Sequence, residues 1–365
     1  MKIKEIITAL EELAPLSLQE KYDNSGLITG NEEDTIGAIL CTVDITEEVV
    51  DEALGLGVNL IISHHPVIFD GMKSLTGRSF TERILIKAIK NNIAIYSAHT
   101  NIDNTIDGVN KMICNKLGLH HCRILLPIKD YLFKIVTFVP EQHAGNVREA
   151  MFKGGAGQIG SYSNCSYNVA GKGTFTATEN SVPFVGEIGK PHAENETRIE
   201  VVVAKHYIDK VINELLKVHP YEEVAYDVYP LQNDYRMAGS GMIGQLEKPQ
   251  AANVFLKDLM KIFNVGAIRY SGDENKLLAK VAVCGGSGSF LIKNAIREHA
   301  DAFITGDIKY HQYFDADKSM LLCDIGHYES EQFTKDLFYI FLTKKFSTFA
   351  VHLSQVVTNP IKYYK

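Results

Sequence analysis

The sequence has no long apolar run: nothing in it approaches the roughly 20 consecutive apolar residues that span a bilayer. It also lacks a C-x-x-C pair, a block of basic residues and a low-complexity tract. Each absence excludes a class. The first argues against a membrane-embedded protein. The second argues against a disulfide framework, because the six cysteines (41, 114, 122, 165, 284 and 323) are scattered. Cys41, Cys284 and Cys323 lie in or at the ends of apolar strand-like runs, where cysteine acts as a small hydrophobe. That usage fits a reducing compartment, so the expected location is cytoplasmic. The net charge of −7 and the missing basic patch give nucleic-acid binding no electrostatic footprint. An acidic protein can still take an anionic substrate at a metal, because the ion dominates its local field. The first residues, Met1-Lys2-Ile3-Lys4-Glu5-Ile6, carry a glutamate and no apolar core segment. They read not as a signal peptide but as an amphipathic helix with Ile3, Ile6, Ile7 and Leu10 on one stripe.

What is present is a globular composition, 45% hydrophobic and 22% charged over 365 residues, long enough for two or three domains. The first third alternates strand-like runs (36–43, 58–63, 93–98) with helical ones (a run capped by Thr46, then 81–90 and 107–117). That order predicts an α/β fold with a mostly parallel sheet covered on both faces. Near residue 126 the character changes. Strands at 133–139, 166–170, 173–178, 197–203 and 226–230 are expected, with helices at 143–152 and 206–218, close to the β-α-β-β-α-β order of a ferredoxin-like domain. The α/β alternation returns after residue 231, through strands at 281–284, 302–304 and 320–324. The expected organisation is therefore residues 1–125 and 232–365 as two parts of one α/β sheet domain, interrupted by an α+β insert at 126–231.

Several of these strands end in metal-ligand residue types. The run 59–63 stops at His64-His65-Pro66; the run 93–96 leads to Ala98-His99-Thr100-Asn101-Ile102-Asp103; and 320–324 leads to Gly326, His327 and Glu331. Open α/β sheets bind ligands at the carboxyl ends of their strands, and imidazole with carboxylate suits zinc, iron or manganese. Taken singly, His64-His65 is equally a solvated pair, and Glu331 equally a residue favoured by a helix N-terminus. Three such segments exceed what one tetrahedral ion needs, which suggests two metals sharing a carboxylate. His99 reads as a group beside the metals or a substrate contact, with its own loop as the alternative. Asp307 either orients a neighbour or caps the next helix. Gly285-Gly286-Ser287-Gly288-Ser289 either cradles a phosphate or makes a tight turn, without the lysine of a Walker loop or the dinucleotide fingerprint. His120-His121 reads as structural, following a helix C-terminus.

The ordered motifs Asp23-Asn24-Ser25-Gly26-Leu27, Ser63-His64-His65-Pro66, His99 to Asp103, Thr305-Gly306-Asp307 and Asp324 to Glu331 resemble the YqfO/YbgI family, the GTP cyclohydrolase 1 type 2 homologues. The resemblance covers essentially the whole chain. It implies a dinuclear metal site built from His64, His65, Asp103, His327 and Glu331, with Glu331 as the bridge. It also implies a PII/CutA-like insert and a toroidal homohexamer. Tyr22 stands where the family commonly has tryptophan. Two functions follow as expectations. One is a metal-dependent hydrolase acting on a nucleotide or related small molecule. The other is a non-catalytic metal-handling or regulatory protein whose insert senses a ligand. An open coordination position would favour the first.

Overall fold

The computed structural model describes residues 1–316 and 319–364. The chain forms two compact units, Met1–Pro127 with Arg236–Lys365, and Ile128–Tyr235. Through the first part of the first unit run α1 (Ile3–Leu13), β1 (Gly26–Thr29), β2 (Ala38–Thr42), α2 (Glu47–Gly55), β3 (Leu60–Ser63), α3 (Phe80–Lys90), β4 (Ala94–Ser97), α4 (Thr100–Asn104), α5 (Val109–Lys116) and β5 (His120–Ile128). The second unit contains β6 (Leu132–Pro140), α6 (Ala144–Gly154), β7 (Ser166–Thr176), β8 (Pro191–Ala204), α7 (Ile208–Val218) and β9 (Tyr226–Leu231). The first unit resumes with β10 (Tyr235–Ala251), α8 (Ala252–Ile262), β11 (Arg269–Ser271), β12 (Leu277–Ser287), α9 (Ile292–Arg297), β13 (Ala302–Gly306), β14 (Leu321–Asp324), α10 (His327–Glu331), α11 (Thr334–Lys345) and β15 (Ala350–Leu353). The fold is mixed α/β. Among the described residues no helix is long and apolar enough to cross a membrane.

The first unit contains two sheets rather than the single two-part sheet expected. One has the order β1-β4-β3-β2-β15, the other β11-β14-β13-β12-β10-β5. The last strand explains the difference: β15 pairs in parallel with β2, so the chain's end completes the sheet its beginning started. Strands β2, β3 and β4 are mutually parallel, as are β12, β13 and β14. Both faces of the first sheet are buried, with alternate residues serving different cores. Ile39, Cys41, Leu60, Ile62 and Tyr96 face a core shared with Val281, Val283, Ile304 and Cys323 of the second sheet. Leu40, Ile61 and Ile95 face α2 and α3. Local chemistry sets the helix starts. Thr46 accepts the Val49 N–H at 3.3 Å and Ser79 the Glu82 N–H at 3.1 Å, each satisfying an amide the helix leaves unpaired.

The second unit is a four-stranded antiparallel sheet of order β7-β8-β6-β9. Ile135, Val139, Ile199, Val201 and Val203 pack against Val147 and Met151 of α6 and Val211 and Leu215 of α7. Where two short strands were expected at 166–170 and 173–178, β7 is continuous, because Gly171 and Gly173 hold their pairing with Glu196 and Glu194 of β8. His120 and His121 follow the end of α5 at Lys116, as expected, and open β5.

Candidate metal centre

In the first unit a cavity of about 910 Å³ opens beside the carboxyl ends of the parallel strands, with His65, His99, Asp103, His327 and Glu331 among its lining residues. Neighbouring residues on an extended strand point to opposite faces, so two adjacent histidines need a bend to reach one site. The bend is visible: the amides of His64 and His65 both donate to the Val43 carbonyl, at 3.0 and 2.9 Å. The two ring centroids are then 4.7 Å apart. Asp103 lies in α4, just after β4, and His327 and Glu331 face the same way as i and i+4 of α10.

Each histidine is held by Nδ1, which leaves Nε2 for the cavity. Nδ1 of His64 donates to the Ala98 carbonyl at 3.0 Å. Nδ1 of His65 donates to Asp44 at 2.7 Å, that of His99 to Asp23 at 2.7 Å, and that of His327 to Asp307 at 2.6 Å. An acceptor on Nδ1 fixes both tautomer and ring orientation, the arrangement that orients metal-binding imidazoles. Asp307 is thus an orienting residue rather than a helix cap.

The free Nε2 atoms converge on the two oxygens of Glu331. Oε1 is 3.6 Å from His64 Nε2, which is itself 3.7 Å from Asp103 Oδ1. Oε2 is 3.1 Å from Nε2 of both His65 and His327. Three groups of donor atoms could therefore hold a metal ion: His64, Asp103 and Glu331; His65, His327 and Glu331; and His64, His65 and His99. The donor set fits a divalent cation on a second ground. Among the described residues His64 Nε2 and Asp103 Oδ1 are buried without a hydrogen-bond partner, an unfavourable state unless something else satisfies them.

The electrostatics match. Burial opposes ionisation of Glu331, but His64, then His327 and His65, outweigh it and hold the carboxyl well below its usual range. Burial, followed by repulsion from Glu331, pushes Asp103 up to about 8. Burial disfavours charge on His65, yet hydrogen bonds to Asp44 and Glu331 raise it to about 10. His327, likewise buried, is raised to about 9 by Glu331 and Asp307. Carboxylates and imidazoles crowded this closely trade protons that a cation would displace.

The glycine loop does not serve as a phosphate cradle through its glycine amides. The N–H groups of Gly285, Gly286 and Gly288 donate to Asn110, Ser330 and Thr305, at 3.0, 2.9 and 2.8 Å. What the loop provides is room. A Cβ on Gly286, whose φ is +60°, would stand 2.3 Å from Glu331 Oε1. Asp44 and Asp23 carry orienting roles that sequence reasoning did not assign. The signal for Asp23 was present in its motif, whereas Asp44 is tied to the site only because β2 lies beside β3. Thr358, near the C-terminus, donates in turn to Asp44.

An Asp307→Asn substitution tests the orienting role. It keeps the shape but weakens the hold on the imidazolium or the Nδ1–H tautomer of His327. A loss of roughly 10–100-fold in metal affinity is expected, checked by equilibrium dialysis, and an unchanged affinity would contradict it.

A family model described as Duf34/NIF3 (NGG1p interacting factor 3) matches residues 1–360. The chain is 40% identical over 324 residues to the "GTP cyclohydrolase 1 type 2 homolog" of Halalkalibacterium halodurans, covering 88% of this chain and 87% of that protein. It is 36% identical over 366 residues to the protein of the same name from Bacillus subtilis, covering 99% and 98%. The crystal structure of a Bacillus cereus protein related to NIF3 matches at a TM-score of 0.88 and 36% identity, over 100% of this chain and 99% of that one.

Proposed function

The chain belongs to the Duf34/NIF3 family, and from that premise we propose that it is a dinuclear metal-dependent hydrolase acting on a nucleotide-like small molecule. The observation that carries this reading is the division of Glu331. One oxygen faces His64 and Asp103, and the other faces His65 and His327. His64, Asp103 and Glu331, and His65, His327 and Glu331, would then each hold a divalent ion of the zinc, iron or manganese class, with Glu331 shared, and three protein ligands apiece is the number found at catalytic sites. Two such ions would lower the pKa of water and polarise an electrophile.

The chain's own residues supply the rest. The cavity, about 910 Å³, suits a small-molecule substrate. Tyr22, Phe69, Phe80 and Phe290 line it and are exposed, offering flat faces to a heterocycle. His99, its Nδ1 held by Asp23, stands with its ring 5.3 Å from those of both His64 and His65. It lies outside the two sets centred on Glu331, so with the ions held there its Nε2 would be free to move a proton. The name carried by the relatives suggests opening of a purine imidazole ring, and phosphoester cleavage is the other chemistry these ligands suit. We further read the second unit, by its element order and strand order, as the ferredoxin-like, PII/CutA-like insert. The protein is proposed to work in the cytoplasm as a homo-oligomer, in line with the family resemblance.

Formate release and phosphate release from GTP by the metal-loaded protein distinguish the two chemistries. His99→Asn should keep its metal and lose at least roughly tenfold in turnover, the ordinary scale of general acid–base catalysis being larger still. Turnover of neither substrate class by wild type would move the protein to a metal-handling role.

A further inference from the structure

The second unit contains its own cavity, about 630 Å³, which the proposed hydrolase chemistry does not use. It lies on the sheet face opposite α6 and α7. Ile199, Val201 and Val203 of β8 point into the core beneath those helices, so the alternate positions Glu196 and Arg198 face the other way. Phe138 stands opposite Arg198 in the ladder, while Pro140 and Gly171 stand opposite Glu196. The missing side chain at Gly173 makes room for the Glu196 carboxylate: a Cβ there would come within 2.2 Å of Glu196 Oε2. Tyr221 closes over it, donating its hydroxyl to Glu196 Oε1 at 2.8 Å. The rings of Phe175 and Phe184 stand 6.4 and 6.2 Å from that of Tyr221.

Glu196 is the anomaly. It is only 8% exposed, yet among the described residues it forms no ion pair, and the Tyr221 hydroxyl is its hydrogen-bond partner. Arg198, the next cation along the same face, is paired with Glu200 at 2.9 Å and lies over the Phe138 ring at 5.9 Å. A buried carboxylate without a counter-charge is unfavourable. Aromatic faces around it favour a cation over an anion, and in the lining Glu196, Glu222 and Glu223 outnumber Lys172 and Arg198, the latter already paired with Glu200. The cavity's size is that of a small-molecule site.

We infer that this cavity binds a small organic cation: an ammonium group set on Glu196, with an apolar or aromatic body between Phe138, Phe175, Phe184 and Tyr221. The ammonium supplies the counter-charge and the hydrogen-bond donors that Glu196 otherwise lacks, and the rings enclose the body. The site is separate in residues from the metal centre.

Isothermal titration of the full chain with benzylammonium and phenethylammonium at neutral pH, each against the matching alcohol, tests this. The ammonium is expected to bind at least tenfold more tightly than the alcohol. Glu196→Gln, which preserves shape and an acceptor for Tyr221, should abolish that preference while leaving the melting temperature unchanged or higher. Phe184→Ala, in the exposed loop, should weaken both ligands without altering the preference. Equal affinity for ammonium and alcohol, no ammonium binding to the wild type, or a preference that survives Glu196→Gln would overturn the inference. Sedimentation adds a further overturning result: a dimer dissolved by Phe184→Asp, together with no ammonium binding, would show that a second copy covers this face.

Discussion

A Glu331→Ala variant is expected to lose its whole metal complement rather than half of it. Both oxygens of the side chain are engaged, Oε1 toward His64 and Oε2 toward His65 and His327. Without the carboxylate, one set falls to His64 with Asp103 and the other to His65 with His327, two ligands each, and the remaining group of His64, His65 and His99 has no carboxylate to offset the ion's charge. Two protein ligands are too few for the three-ligand geometry of a catalytic site. Asp103→Ala removes a ligand from only one set, so it should spare the ion held by the other. Metal content by elemental analysis after dialysis against metal-free buffer separates the two variants, with circular dichroism confirming the fold. Retention of one ion per chain by Glu331→Ala would show that the carboxylate serves a single metal or that His64, His65 and His99 hold an ion without it, and either result would overturn the expectation. The wild type should also bind metal more tightly as pH rises. The ligand form of imidazole is neutral, and His65 and His327 are held protonated up to about 10 and about 9. Metal uptake therefore displaces protons over that range, and unbuffered titration should record their release.

The second large effect is expected at a residue with no functional group. Gly286→Ala places a methyl 2.3 Å from Glu331 Oε1 and 3.2 Å from His327 Cε1, at a φ of +60°. The left-handed conformation costs alanine about 1 kcal/mol, so the fold should survive with a modest fall in denaturation midpoint. The steric conflict falls on the far end of Glu331, the atom that faces His64. Metal affinity should therefore drop by at least the roughly 10–100-fold seen when ligand orientation is lost, out of proportion to the change in stability. Gly285→Ala is the control, because its nearest neighbours would be 3.1–3.4 Å away and it keeps a negative φ. Equal losses in the two variants would mean that the close approach of Gly286 to Glu331 Oε1 is not what protects metal binding.

These two sites mark where sequence reading stopped. The histidines and carboxylates at strand ends can be seen in the chain because a buried apolar run ending in ligand residues is a local pattern. The glycines cannot be interpreted the same way. A glycine run after a strand is compatible with an anion cradle and with close approach. The choice depends on what lies across from it, here Ser330 and Glu331 from a helix some 40 residues on. Asp44 shows the same limit. It is an ordinary loop carboxylate until β2 and β3 pair, with Thr42 opposite Ser63, and bring it to His65 Nδ1.

The chain by itself determined the alternation of helix and strand in its first third, the cap at Thr46, and the residue types at the strand ends. All of these follow from interactions within a few residues: periodic burial, first-turn hydrogen bonds and turn chemistry. Tertiary structure alone decided that the first unit has two sheets and that the last strand joins the first of them. It alone decided which nitrogen of each histidine is held, that Glu331 lies between two donor groups, and that Glu196 is buried without a cation. Those outcomes rest on strand register and on packing between distant segments. There, a shift of one residue would turn every side chain to the opposite face.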